Sequence, residues 1–551
     1  MIGVLANSDE REVAIEFFEL FKTPWEFARS GRHYGVLLIA GDHSVDATAD
    51  FVVVYSAENT RFDAIQDIRT TPADQAPRFF TFKADRFPIY GRAITFTTES
   101  GVLLKEDLTG KCVGHIRERQ ARIGYDLFQE IRILLTEGQP VANASSPTLE
   151  VHIAFLRDLI TGCGIPLLEI PPVPEGFKFI ACLTHDVDHP SLRLHKWDHT
   201  ALGLVYRATL GSLTKLLRGQ SSLSVVIENW LAALKLPLIY LGWSKDYWRE
   251  FADRYRKLEQ EFRSTFFIIP FRNRPGMAVN GAAPAFRASG YGAQDIADAI
   301  SDLVADGHEI GLHGIDAWTD SSMGREELRE IQRVAGSGPS GVRMHWLYFD
   351  ANSPKKLEEA GATYDSTCGY NDAVGYRAGT TQVHKPLSAT HLLELPLHVM
   401  DTALFYPSRM ELSPAQADSV LNQIQENAAR FGGVVTVNWH DRSVAPERLW
   451  VAPYRDLLAS MKGRGAWFAT ASEAVTWFCK RRSATFELDQ AKPGTVRLNL
   501  PAGNSDGLPA LKLRSYQPNA STVGKDLPAL KFEDTEIKEY TEFKIAPVCQ
   551  P

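Results

Sequence analysis

Between residues 177 and 482, short apolar runs of strand character alternate with stretches of helical period, and this alternation narrows the fold more than any other feature of the chain. The apolar runs end at Leu183, Ile269, His313, His345, Pro396 and His440, with helical patterns over 294–306, 325–334, 354–360, 414–431 and 453–461 between or after them. Repeated strand and helix units of this spacing predict a parallel α/β sheet or barrel. In such folds chemistry gathers at the C-terminal ends of the strands.

One run carries its chemistry on its face. Phe179-Ile-Ala-Cys-Leu breaks into Thr184-His185-Asp186-Val187-Asp188-His189 and is stopped by Pro190. Positions i and i+2 of a strand point to the same side, so Asp186 and Asp188 can share one cavity. Two close carboxylates are costly without a cation or a shared proton, which points to a divalent metal. An isolated Asp-x-Asp also suits a helix cap or a solvated turn. The adjacent His185 and His189, and the later strand ends bearing His313, Arg343 with His345, and His440, weigh against that reading. Each histidine alone suits a structural role; together, in one alternating domain, they form a candidate metal constellation.

At 551 residues the chain predicts roughly three or four domains. An N-terminal α/β accessory domain is expected over 1–150, a linker over 151–176 ending in Pro171-Pro-Val-Pro, a catalytic barrel over 177–482, and a small β domain over 483–551. Residues 192–257 read as a helical insertion over the site mouth, rich in Leu, Trp and Arg. Contact of this insertion with a membrane surface is the lesser of two readings. No run reaches the ~18 uninterrupted apolar residues of a membrane span. The net charge of −8 and the lack of a long basic run argue against nucleic acid as partner. The first residues do not read as a signal peptide and the six cysteines lack pair spacing, so a reducing cytoplasmic location is expected.

The order of motifs resembles the polysaccharide deacetylase family, also called NodB-homology or family 4 carbohydrate esterases. The pieces are Leu183-Thr-His-Asp-Val-Asp188, Gly307-His-Glu-Ile-Gly-Leu-His313, Gly341-Val-Arg343 with Leu357-Glu-Glu-Ala-Gly361, Leu393-Glu-Leu-Pro396 and the histidine strand Val434 to Asp441. Tyr376-Arg-Ala-Gly379, with the His-Asp-Val-Asp motif, is similar to the subgroup found beside exopolysaccharide assembly genes, which carries an extra N-terminal domain. The resemblance implies a distorted (β/α) barrel and metal-dependent hydrolysis of an N-acetyl or O-acetyl group on a sugar or oligosaccharide. It implies Asp188 and His313 as ligands of a divalent cation, with Zn²⁺ first among the candidates. Asp186 would be the base, Arg343 its ion-pair partner, and His440 the acid.

The chain departs from the family at Ala317, where a second ligating histidine usually follows His313, and at Met344-His345-Trp346, where Pro-Tyr is usual. His345 is the preferred replacement ligand, ahead of Asp316, His185 and His189. Two other readings stand beside the deacetylase: a non-catalytic glycan-binding or scaffold protein on the same barrel, and an amidase of a non-sugar amide.

Overall fold

The structure, a computed structural model, describes residues 1–72, 78–98, 100–195, 198–217, 219, 222–336, 338, 341–448, 450–488, 495–500, 507–518, 530–537 and 540–544. The barrel strands in chain order are β1 (Phe179–Val187), β2 (Thr265–Ile268), β3 (Glu309–Gly314), β4 (Gly341–Met344), β5 (Tyr364–Asp365), β6 (Leu393–Glu394), β7 (Val399–Met400), β8 (Val434–Asn438) and β9 (Ala466–Ala469). Every residue of β1 is buried, as a strand covered on both faces must be. All pairings are parallel, in the order β6-β5-β4-β3-β2-β1-β8-β7.

Two irregularities distort the barrel. One edge of β1 pairs with β8, while the other is shared: Thr184–Val187 pair with β2 and Phe179–Cys182 with β9. The outermost strands, β6 and β7, do not pair with each other; they are consecutive in the chain, with only 395–398 between them. The sheet is therefore a curled half-barrel whose ends are joined by chain. Gly341 opens β4 because the ring of Tyr364 would lie 1.9 Å from any Cβ there.

The stretch 192–257 is largely helical. It comprises α1 (His199–Tyr206), a π-helical turn at Arg207–Gly211, α2 (Ser212–Leu217) and α3 (Leu223–Tyr240). Asp198 and Ser222 cap α1 and α3 through their side chains. Along α3 a stripe of Val226, Asn229, Ala232, Leu236 and Ile239 is buried, at helical spacing. By length and composition α3 is apolar enough to cross a membrane. The sequence criterion passed over it because Glu228, Asn229, Lys235 and Pro237 interrupt the apolar run.

The N-terminal region is an eleven-stranded mixed sheet, parallel through Ile2–Leu5, His33–Ala40 and Thr48–Tyr55. Residues 151–176 are not a linker. Thr148–Gly162 form a helix buried along nearly its whole length, in the core of the N-terminal region. Its Glu150 reaches the barrel side, accepting from Thr380 Oγ1 (2.6 Å) and Thr381 N (3.2 Å). The turn-forming prolines after it mark a bend between packed elements rather than a free spacer. Between the helix and the Pro171-Pro-Val-Pro174 run, Leu167–Glu169 pair antiparallel with Lys512–Tyr516, whose other edge pairs with Phe532–Glu536, so the C-terminal β region borrows a strand from this stretch. The remaining strands form a second three-stranded antiparallel sheet, Thr485–Leu488, Thr495–Asn499 and Tyr540–Lys544.

Candidate metal centre

Four strand ends converge on one rim. Asp186 and Asp188 come from β1, His313 from β3, Arg343 and His345 from β4 and the turn after it, and His440 follows β8. The two-residue period of β1 sends His185 the other way: its Nδ1 donates to Trp439 O (2.8 Å) and its Nε2 meets Glu259 Oε1 (3.0 Å) deep in the core.

Asp186 is clamped. Arg343 Nη1 donates to Oδ1 at 3.0 Å and Asn438 Nδ2 to Oδ2 at 2.7 Å. The guanidinium is itself fixed, donating to Ser366 O (3.0 Å), Ser366 Oγ (2.8 Å) and Thr184 Oγ1 (2.6 Å), and is fully buried. Such an environment orients the carboxylate.

Asp188 is surrounded by imidazoles. Its Oδ1 lies 3.3 Å from His313 Nε2 and 3.7 Å from His345 Nε2, and its Oδ2 lies 3.8 Å from His440 Nε2. His313 Nδ1 stands 2.9 Å from the carbonyl oxygen of Arg343, which only accepts, so Nδ1 carries the proton. In the neutral ring Nε2 is then a bare lone pair facing Asp188 Oδ1, a buried oxygen with no hydrogen-bond partner. Two acceptors at that distance call for a cation between them. Ligand atoms of Asp188, His313 and His345 all lie within 4.8 Å of one another, and this one-carboxylate, two-imidazole set suits Zn²⁺ or a similar divalent ion with a coordination position left open.

His345 is delivered by an unusual turn. Trp346 and Leu347, directly after it, both have positive φ (66° and 54°), a conformation that costs non-glycine residues energy and persists where the surroundings enforce it. Arg287 Nη2 donates to His345 O at 2.8 Å and helps to hold this turn. Burial pushes the pKa of the His345 ring well below its ordinary value, consistent with a neutral, donor-ready imidazole.

His440 has a partner that the sequence reading missed. Its Nδ1 lies 2.6 Å from Asp401 Oδ1, and its backbone N donates to Asp401 Oδ2 at 2.7 Å. Asp401 opens α4 (Asp401–Phe405), immediately after β7, and the β7–β8 register sets it beside the end of β8. Although burial disfavours the imidazolium, the buried Asp401 carboxylate raises the pKa of His440 to about 10. The available signal was an aspartate closing the apolar run Leu395 to Met400; Asn438, two residues before His440, was the other residue overlooked.

The weaker ligand candidates fall outside the set. His189 Nδ1 is 3.1 Å from His195 Nε2, and Asp316 Oδ1 accepts from Met277 N (2.7 Å). Ala317 is fully buried.

No family profile matches the chain, and no curated protein is found as a relative. Solved structures are found that it is similar to. A protein assigned as a polysaccharide deacetylase from Mycobacterium smegmatis shares 19% identity at a TM-score of 0.35, covering 58% of this chain and 99% of that one. A family 4 acetyl xylan esterase from Clostridium thermocellum, in complex with a cobalt ion, shares 15% at a TM-score of 0.25, over 54% of this chain and 91% of that one. A CE4 family pseudoenzyme from Bacillus anthracis shares 10% at a TM-score of 0.27, over 55% of this chain and 69% of that one. In this chain's own residues, the motif order and the rim those motifs build resemble those of polysaccharide deacetylases of the NodB-homology type.

Proposed function

We propose that this chain is a metal-dependent hydrolase that removes an N-acetyl or O-acetyl group from a sugar or polysaccharide precursor, in surface polysaccharide metabolism. The observation that carries the reading is the unpartnered Asp188 Oδ1 facing the bare Nε2 of His313 at 3.3 Å, with His345 on the same oxygen and the Asp186 clamp beside it.

Asp188, His313 and His345 would hold the cation. When bound, it supplies Lewis-acid polarisation of the acyl carbonyl and eases loss of a proton from water. The protein groups do the rest. Asp186, aligned by Arg343 and Asn438, takes the proton from the attacking water. His440 enters the reaction protonated and gives its Nε2 proton to the departing amine or alcohol, while Asp401 fixes the ring and balances its charge. Trp346, partly exposed next to His345 and 5.6 Å from the ring of Phe286, supplies an apolar face on which a pyranose can stack. Trp248 and Trp318 are buried in the fold, which removes them from such a role.

The test is elemental analysis of the purified chain, joined to acetate release from acetylated oligosaccharides. About one equivalent of metal per chain and metal-dependent acetate release are expected. A chain that stays metal-free after addition of Zn²⁺ would overturn the reading in favour of a non-catalytic glycan-binding protein.

A further inference from the structure

Beside the Asp188 rim, three guanidinium groups converge with more positive charge than the one nearby glutamate, Glu447, can balance. Arg442 and Arg448 each donate from Nη2 to the phenol oxygen of Tyr406, at 2.9 and 2.7 Å. Arg448 is only 6% exposed, with its guanidinium carbon 4.8 Å from the Tyr406 ring centroid and 5.0 Å from that of Trp450. Arg207, from the π-helical turn of the insertion, joins this group, and its charge is felt by Tyr406 together with those of Arg442 and Arg448.

Among the described residues none of the three arginines forms an ion pair. Nε and Nη1 of Arg448, and Nε and Nη2 of Arg207, are buried without a hydrogen-bond partner. The acids next to them in sequence are partly engaged: Glu447 Oε1 accepts from Trp248 Nε1 (2.6 Å), which leaves its buried Oε2 as one carboxylate oxygen for three guanidinium groups, and Asp441 accepts from the backbone N of His189 and of Arg442 (2.8 Å each). Crowding shows in the titration of the group. Burial and the charge of Arg448 pull Arg207 down to about 9, and the Tyr406 phenol, against its burial, is drawn down to about 8 by the arginines. Buried, unbalanced guanidinium donors are costly without an anion, and their planar forks match phosphate oxygens.

The cluster is tied to the rim by sequence. Arg442 stands two residues after His440, which puts their Cα atoms within about 7 Å, and Tyr406 directly follows α4, the helix that Asp401 opens. Arg448 also lines a mostly apolar cavity of about 570 Å³ with Phe405, Leu412 and Trp450, reaching Ser222 and Val225 at the start of α3.

We propose that Arg207, Arg442 and Arg448 bind the phosphate or diphosphate of a glycosyl phosphate, so that the acetylated sugar processed at Asp188 carries phosphate on its anomeric carbon. In a 2-acetamido sugar the acyl group sits on the carbon next to the anomeric one. An anion site beside the acyl-cleaving rim therefore engages both groups of one small substrate. The substrate class rests on the deacetylase reading; the anion site does not. The phosphate has two sources, a soluble sugar phosphate or a sugar borne on a lipid phosphate. Fifteen of the twenty-three large hydrophobic residues exposed among the described residues lie between Leu194 and Trp243. The insertion that supplies Arg207 thus presents a surface suited to lipid, which favours the second source.

The test is calorimetric titration of the full chain with inorganic pyrophosphate. Saturable binding is expected, weakened about ten-fold or more in Arg448→Gln and in Arg207→Gln, and retained in His313→Ala, which removes a metal ligand but no arginine. Arg207 sits on the insertion, so its variant keeps the test valid should Arg448→Gln fail to fold. Absence of saturable binding, equal affinity in the arginine variants, or loss of binding in His313→Ala overturns the proposal. Arginine-dependent pyrophosphate binding without acetate release from any acetylated sugar keeps the anion site and removes the deacetylase reading. Flotation with phosphatidylcholine vesicles, with and without a polyisoprenyl phosphate, separates the sources. An arginine-dependent gain on the phosphate-bearing vesicles assigns the lipid-borne substrate, and equal flotation assigns the soluble one.

Discussion

His440 Nδ1 and Asp401 Oδ1 are 2.6 Å apart, and the same aspartate also accepts the backbone N–H of His440, so ring and main chain are held by one buried carboxylate. Asp401→Asn replaces the charge that supports the imidazolium while keeping the shape. Turnover is expected to fall about 10²- to 10⁴-fold, the range of general acid contributions, with metal content unchanged. Acetate release and elemental analysis on the same sample check this.

In the proposed site His345 is the third ligand beside Asp188 and His313. In His345→Ala the site keeps one carboxylate and one imidazole, and metal is expected to be lost on dialysis, as in His313→Ala. Adding Ala317→His to His345→Ala is expected not to restore it, because Ala317 is fully buried and a larger side chain there meets packed atoms. Metal retained in His345→Ala would remove the histidine from the ligand set.

Asp186 and Asp188 are two residues apart, and the proposed function gives them different tasks. Asp186→Asn is expected to abolish turnover with metal retained, and Asp188→Ala to lose the metal. Elemental analysis of the two variants separates the roles, and either one behaving like the parent would contradict them.

Arg343 is a structural hub as well as the partner of Asp186. Arg343→Met leaves Asp186 buried without its cation and frees Ser366 and Thr184 of their donor. A loss of about 3–5 kcal/mol is expected, the scale for breaking one side of a buried ion pair. Chemical denaturation measures it, and a midpoint equal to that of the parent would refute it.

Two buried histidines outside the rim set an acid limit. Burial lowers His152 to about 3 and His398 to about 4, from an ordinary 6.5. Below pH 6.5 the unfolded chain takes up protons that these folded rings refuse, so their contribution is complete above pH 6.5 and is lost as pH falls toward 4. Each adds a slope of up to about 1.4 kcal/mol per pH unit in that window. Denaturant midpoints at pH 7 and pH 5 should differ less in His152→Gln than in the parent.

How far the residues alone could be read depended on whether the determining physics was local. The two-residue period of β1 and its abrupt polar end are local, and they identified the Asp186 and Asp188 pair. The strand-helix alternation is local too, and it foretold the parallel sheet. Asp401 was missed because its partner arrives through the β7–β8 register, a relation between segments 39 residues apart. Residues 151–176 read as a linker because their prolines are local signals, whereas the burial of the helix before them is tertiary. The arginine cluster draws on three separate segments, none of which is conspicuous alone.

The join at 395–398 has a topological consequence. Because β6 and β7 share no hydrogen bonds, the ring of strands is continuous there only through covalent chain. A cut between Glu394 and Val399 would turn the ring into a ribbon, leaving β7 and the aspartate behind His440 as an outer edge held by β8 alone. A cut in a surface connection elsewhere would leave the circle intact. A circular permutation series across the barrel would therefore find this segment the least tolerant of new termini.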